Sequence, residues 1–329
     1  LEKYKELMKQ YMLTENEEAL YKAEQFSKQL LQKDVSPDEI VQIHIESLKS
    51  LYPELPKEMK RSLDFLLETM IAYGIVHQEA RDLREKQLEL KSEIEVAANM
   101  QDTLLNTVIP DVEVLDIGVL SVAAKQMNGD YHHFIKDSSG NVGVGIADVI
   151  GKGIPAALCM SMIKYALDSF SDERFSPNSI LELLNRVVER NVEAGMFITM
   201  FYGVYDIHSH EFTYSSAGHE PGFFYKAKSK QFEEIDARGI VLGVQNNVSY
   251  INYSKSLEVG DTVLLLTDGV TECRQGDRFI ERQEVVDVVQ KYIHLPAQHI
   301  VENVYRYFER LQDFDLRDDF TLIILRRER

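Results

Sequence analysis

Phe197-Ile198-Thr199-Met200-Phe201-Tyr202-Gly203-Val204-Tyr205 is the stretch that decides the fold. Its β-branched and aromatic residues fit a pleated, packed surface, and turn signals at Ile207 to His210 and Ala227 to Lys230 follow it. Several strands therefore run in succession between 197 and 267 with no helical pattern between them. Parallel neighbours need a long crossover, so strands joined by short turns pair antiparallel. The expectation is an α+β sandwich rather than a regular βαβ array. Working outward, Val119 to Ala123 and Val142 to Ala147 read as further strands. Helical patterns lie at Ile154 to Ser169, Ser179 to Ala194, Glu281 to Tyr292 and Ala297 to Leu311.

Upstream the texture changes. From Pro56 to Pro110 there is no internal proline and a single glycine, Gly74, among Leu, Glu, Lys, Gln and Ala, which predicts helix throughout. Ser36-Pro37-Asp38-Glu39 has the form of a helix start, with a serine cap, proline in the first turn and acids beside the positive end of the dipole. The chain thus divides into an all-α bundle over 1–82, a helical linker over 83–110 and the α+β domain over 111–329. In the linker Leu83, Leu90, Ala97 and Leu104 recur every seven residues, with Gln87, Ile94 and Gln101 at the other seam position. Two readings stand open: an amphipathic helix docked on its own domain, or a coiled coil between two copies in a homodimer.

Acidic residues outnumber basic ones by 54 to 36 in the 329 residues, and the net charge of −18 argues against nucleic acid or an anionic membrane as partner. The most apolar runs, such as Val263 to Leu266, are strand-sized, and no charged-then-apolar leader opens the chain. Cys159 and Cys273 are the only cysteines, too few for a disulfide framework. A cytoplasmic protein acting on a protein or small molecule is expected.

Gly129-Asp130, Ala147-Asp148-Val149, Thr267-Asp268-Gly269 and Asp318-Asp319-Phe320-Thr321 each set an aspartate at the border of a predicted strand. Such an aspartate is by itself a common turn residue. Four together at sheet ends can build one site, and hard divalent ions want oxygen ligands with water positions left open. No His or Cys cluster suited to zinc is present.

Ala147-Asp148-Val149-Ile150-Gly151-Lys152-Gly153 followed by Pro155-Ala156-Ala157, then Ser216-Ala217-Gly218-His219-Glu220-Pro221-Gly222, Leu266-Thr267-Asp268-Gly269-Val270-Thr271-Glu272 and Asp318-Asp319-Phe320-Thr321-Leu322 resemble, in order, the motifs of SpoIIE-like phosphatases of the metal-dependent PPM class. The resemblance runs from about residue 94 to the end. It implies a β-sandwich flanked by helices and two Mn²⁺ or Mg²⁺ ions at one sheet end. The implied substrate is a phosphoserine or phosphothreonine of a small anti-anti-sigma protein, in a partner-switching stress response, and the implied activator is a kinase-like regulator at the helical domain. Carried over by motif, the resemblance implies that Asp148 bridges both ions and that the Val149 carbonyl assists one of them, the other being the ion of Asp268. Asp268 and one aspartate of the 318/319 pair, Asp318 by motif position, hold one ion, and Asp130 supports the second directly or through water. Ions of this kind acidify a water and neutralise phosphoryl oxygens during in-line attack, with no covalent phosphoenzyme.

The chain departs from the family pattern at Lys152, where His is frequent, at Ile150, where Ser is common, and at His133, where an aspartate often stands. Lys152 is either a phosphate attractor or a solvated surface lysine, and His219 either an acid or a turn histidine. A nucleotide phosphate loop is excluded at Gly151-Lys152-Gly153, because position 146 is Ile and 153 is Gly rather than Ser or Thr. A two-metal phosphodiesterase would use similar aspartates, and an inactive module presenting the helical domain to a regulator is the non-enzymatic alternative.

Overall fold

The computed structural model describes residues 2–15, 17–31, 33, 35–150, 153–169, 176–191, 196–275 and 278–329. Gly151 and Lys152, and the last residues of the helical pattern predicted up to Ala194, lie outside the described residues. The chain divides into two compact units, Leu1–Lys91 and Ser92–Arg329.

The first unit is helical: α1 (Glu2–Thr14), α2 (Glu17–Leu31), α3 (Pro37–Leu51) and the first part of α4 (Lys57–Leu105). Helix α3 begins at the predicted signal. The Ser36 hydroxyl accepts the Glu39 amide at 3.4 Å and the Glu39 carboxylate accepts the Ser36 amide at 3.0 Å, a reciprocal capping box. Gly74 stands where α4 meets the start of α3, since a Cβ there would lie 2.8 Å from Asp38 Oδ1. Helix α4 stops at Leu105, short of Pro110. Thr107, Val108 and Ile109 are β-branched, and the residue before proline is pushed out of the α region. No helix among the described residues is long and apolar enough to cross a membrane.

The second unit carries β1 (Leu115–Val122), β2 (Asp130–Lys136), β3 (Val142–Val149), α5 (Ile154–Asp168), α6 (Pro177–Asn191), β4 (Ile198–Tyr205), β5 (Glu211–Ala217), β6 (Gly222–Lys226) and β7 (Gln231–Ile235). It continues through β8 (Tyr253–Ser256), β9 (Thr262–Leu266), α7 (Asp268–Thr271), β10 (Arg274–Gln275), β11 (Arg278–Phe279), α8 (Arg282–Tyr292), α9 (Ala297–Leu311) and β12 (Phe320–Arg327). Two five-stranded sheets form, in the orders β1-β12-β9-β6-β7 and β2-β3-β4-β5-β8, all their pairs antiparallel. The sandwich expected from residues 197–267 is therefore present, and helices cover both outer faces.

Alternation along the strands builds three apolar layers. In β9, Val263 and Leu265 enter the core between the sheets with Phe201, Phe212 and Ile323, while Leu264 and Leu266 face α8 and α9 through Val285, Ile300 and Val304. Both faces are covered, which is why Val263 to Leu266 reads as an unbroken apolar run. On the opposite side Ala147, Val149, Met200 and Tyr202 pack against Met160 and Ile163 of α5 and Leu181 and Leu184 of α6. Within α4, Gln101 is buried and Ile94, Ala97, Ala98 and Leu105 are partly covered, whereas Leu83, Leu90 and Leu104 of the seven-residue series are exposed.

Candidate metal centre

The four aspartate motifs meet at one end of the sandwich. Asp130 opens β2 and pairs in register with Asp148, next to last in β3. In the other sheet β9 ends at Leu266 just before Thr267-Asp268, and Asp318-Asp319 precede β12, whose Leu322 pairs with Leu266. Asp148, Val149, Asp268, Asp318 and Asp319 all line a cavity of about 320 Å³, with Gly129, Ile150, Thr199, His219 and Glu220. Asp130 is placed differently: it lines a neighbouring cavity of about 210 Å³ with Gln101, Ser121 and Asn128. It is 4% exposed, and its Oδ2 accepts the Thr267 hydroxyl at 2.6 Å. Burial pushes the Asp130 carboxyl well above the usual carboxylate range; the Thr267 and Thr321 hydroxyls oppose this and the charges of Asp148 and Asp319 add to it.

The two aspartates of the 318/319 pair have different surroundings. Asp319 is 5% exposed, and its Oδ1 and Oδ2 accept the amides of Ala124 at 2.7 Å and Gly129 at 2.5 Å. Asp318 Oδ1 accepts the Asp319 amide at 3.0 Å. Gly269 makes room for this corner, because a Cβ on it would meet the Asp319 carbonyl oxygen at 1.9 Å.

The donor set fits a hard cation. Around the point where a Gly129 Cβ would stand lie Asp319 Oδ2 at 2.9 Å, Asp148 Oδ1 at 3.7 Å and the Val149 carbonyl at 3.9 Å, an all-oxygen cradle that exists only because this residue is glycine. Among the described residues no three His, Cys, Asp or Glu side chains close on one point. An ion here would complete its shell with backbone carbonyl and water, as Mg²⁺ and Mn²⁺ do readily.

Burial disfavours the protonated form of both histidines singled out in the sequence. His219 Nδ1 lies 2.9 Å from Thr199 Oγ1, and burial lowers the ring to about 4. His133, where relatives often carry aspartate, is buried with Nδ1 2.9 Å from the Tyr131 hydroxyl and Nε2 3.1 Å from Asp168 Oδ1; burial lowers it to about 4. It ties β2 to the last residue of α5 and takes no part in the cavity. Glu220, in the Ser216 to Gly222 motif, also lines the cavity, held by the Arg282 guanidinium and, at 3.3 Å, by the Thr271 hydroxyl. Nothing in the local sequence announces that pairing, since Arg282 starts a helix sixty-two residues on.

A family model described as "Stage II sporulation protein E (SpoIIE)" matches residues 138–328, and one described as "Phosphoserine phosphatase RsbU, N-terminal domain" matches residues 2–76. Over 327 residues the chain is 51% identical to the phosphoserine phosphatase RsbU of Bacillus subtilis, covering 99% of this chain and 97% of that protein. Among solved structures, the RsbU and RsbW domains of a Mycobacterium tuberculosis protein superpose with a TM-score of 0.60 at 24% identity, over 68% of this chain and 62% of that one. The SiaA PP2C domain of Pseudomonas aeruginosa does so with a TM-score of 0.61 at 17% identity, over 73% and 98%. These two likenesses concern the fold. The chain belongs to the SpoIIE family of serine phosphatases. It is a phosphoprotein phosphatase, which removes the phosphodiesterase and the inactive-module alternatives.

Proposed function

We propose that the chain releases phosphate from a phosphoserine or phosphothreonine of a small anti-anti-sigma protein of the RsbV kind, in the cytoplasm, and so frees a stress sigma factor through partner switching. The observation that carries the proposal is the convergence of Asp148, Asp268 and Asp318 with the Val149 carbonyl on one cavity at the sheet end. Asp148 would serve both Mn²⁺ or Mg²⁺ ions, the Val149 carbonyl would assist one, Asp268 and Asp318 would hold the other, and Asp130 would support the second directly or through water. Such ions, when bound, acidify a water and neutralise phosphoryl charge. The chain's own residues do the rest. Asp319 fixes the loop at Ala124 and Gly129, Gly129 and Gly269 let backbone and carboxylates approach, and Glu220, held by Arg282, forms one wall of the cavity.

The domain over 1–82 and the linker over 83–110 fit reception of an RsbT-like kinase-related activator. In support, the model of the RsbU N-terminal domain matches residues 2–76, and Leu83, Leu90 and Leu104 are exposed on α4, available to pair with a second copy. The test is phosphate release from a phosphorylated anti-anti-sigma protein, with and without Mn²⁺, chelator and activator. Turnover that persists in excess chelator rejects the two-ion assignment. Activation that survives removal of residues 1–82 rejects the regulatory one.

A further inference from the structure

We infer that Gln101 is a positioning residue for the metal centre, its buried amide clamping the main chain of Asn128 and so setting the loop that leads into Gly129 and Asp130. The seven-residue series put Gln101 at a pairing seam, but its side chain is not available to a partner: it is 3% exposed, while Met100 and Leu104 on the same turn are 59% and 53% exposed. A buried amide must be hydrogen-bonded. Its Nε2 donates to the Asn128 carbonyl at 2.8 Å, and its Oε1 accepts the Asn128 amide at 3.1 Å. That is the two-way pairing a neighbouring strand would give. Asn128 lies between β1 and β2 and belongs to neither, so no ladder supplies these bonds.

From Asn128 the contacts run into the site. Its Oδ1 accepts the Asp130 amide at 2.9 Å, and its Nδ2 donates to Ser121 Oγ at 3.0 Å. The next residue, Gly129, donates its amide to Asp319, and oxygens of Asp319, Asp148 and Val149 lie around the point where its Cβ would stand. The loop is thus fastened to both sheets by its own residues, and Gln101 fastens it to α4. Without that amide, the part-buried Asn128 N–H and C=O lose their partners, and the loop shifts to recover others. Gly129 and Asp130 shift with it, so the preformed arrangement of oxygens is lost before any cation arrives.

The inference rests on the metal-dependent reading of this site, and its test separates the two. In the full chain, Gln101→Leu removes both bonds at similar volume, Gln101→Glu keeps the acceptor for the Asn128 amide and loses the donor, and Met100→Ala is the control on the same turn. Three quantities are read: the Mn²⁺ concentration for half-maximal phosphate release, Mn²⁺ affinity by calorimetry without substrate, and hydrogen exchange at Asn128 and Gly129 in the metal-free protein. The expected result for Gln101→Leu is Mn²⁺ affinity weaker by about tenfold, as for other supporting partners of metal ligands, with kcat at saturating Mn²⁺ largely kept and faster exchange at both amides. Gln101→Glu should fall between, and it carries the test should the leucine variant not fold. A lower melting temperature with parental Mn²⁺ affinity and parental exchange at the loop overturns the inference, leaving Gln101 a merely structural residue. Failure of the parent itself to bind or need Mn²⁺ strikes the proposed function instead, while exchange at Asn128 and Gly129 still decides the clamp.

Discussion

Replacing the two adjacent aspartates one at a time should separate holding a cation from holding the fold. Asp319 receives two amides, from Ala124 and Gly129, and is almost fully buried. An asparagine there keeps one acceptor oxygen and turns an NH₂ toward the other N–H, losing one charge-assisted bond and weakening the second. Hydrogen bonds to a charged group contribute about 1.5–3 kcal/mol each, and an orphaned buried donor costs a similar amount, so Asp319→Asn should destabilise by about 3 kcal/mol. For a unit the size of Ser92–Arg329 that corresponds to a melting temperature lower by about 6–12 °C. Asp318→Asn should behave in the opposite way. Its oxygen can still accept the Asp319 amide, so melting without metal should fall by less than in Asp319→Asn. Turnover should nonetheless fall by about two orders of magnitude or more, because a neutral amide is a poor ligand for a hard cation and neutralises no charge. Thermal melts in chelator and Mn²⁺ titrations of phosphate release measure both variants. Near-parental turnover in Asp318→Asn, together with a stable but inactive Asp319→Asn, would refute the assignment.

Asp148→Asn and Asp268→Asn should each fold normally by circular dichroism and lose most phosphate release; retention of activity in either would remove that residue from the ligand set. Burial lowers His132, His133 and His219 to about 4 in the folded chain from 6.5, so the unfolded chain binds more protons between those values. Stability contributed by keeping these rings neutral is complete above pH 6.5 and is lost as pH falls toward 4, by at most about 3 kcal/mol per ring; NMR titration showing them protonated at pH 5.5 in the folded protein would contradict this. Leu90→Asp, at a side chain 57% exposed, should block activation by the kinase-like regulator and leave basal Mn²⁺-dependent turnover unchanged, whereas Gln87→Leu should strengthen pairing of α4 and raise basal turnover. Stronger pairing by sedimentation with no gain in activity would show that pairing of this helix is not the switch.

The sandwich was legible because strand-sized runs such as Phe197 to Tyr205 and Val263 to Leu266 combine β-forming residues with short turns. The order of the strands was not. That β12 lies between β1 and β9 follows from how Ile323 and Leu325 fill the inter-sheet core while Leu322 and Ile324 meet α9, a tertiary fit that no local pattern encodes. Asp148, Asp268 and Asp318 were legible because each sits in a glycine- or aspartate-marked motif at a strand end. Of the two readings open for the linker, Gln101 follows the docked one, for a definable reason. Over the last turns of α4 the seven-residue series and the face actually buried share Ala97 and Gln101, but the buried face continues through Ala98 and Leu105 while Leu104 turns outward. A helix of 3.6 residues per turn drifts away from a strict heptad, so packing on one's own domain and pairing with another copy select different residues.

The site is split between two sheets, and this sets what the remaining polar residues must do. Asp130 and Asp148 belong to β2 and β3, Asp268, Asp318 and Asp319 to the ends of β9 and β12. The two proposed ions, about 3.5–4 Å apart in sites of this kind, would tolerate little sliding of one sheet over the other. Apolar packing between the sheets is strong but not directional, so it cannot by itself hold such a register. Directional bonds cross the gap where the site lies: the Thr267 hydroxyl reaches Asp130 from the β9 side, and the Gly129 amide reaches Asp319 from the β2 side. Each sheet thus donates one hydrogen bond to a carboxylate of the other. On this logic Asp319, Asp130 and Thr267 pin the two halves together at the cavity that Asp148, Asp268, Asp318 and Asp319 line. Such an arrangement makes cation affinity depend on anything that moves the loop at Asn128, including the last turn of α4.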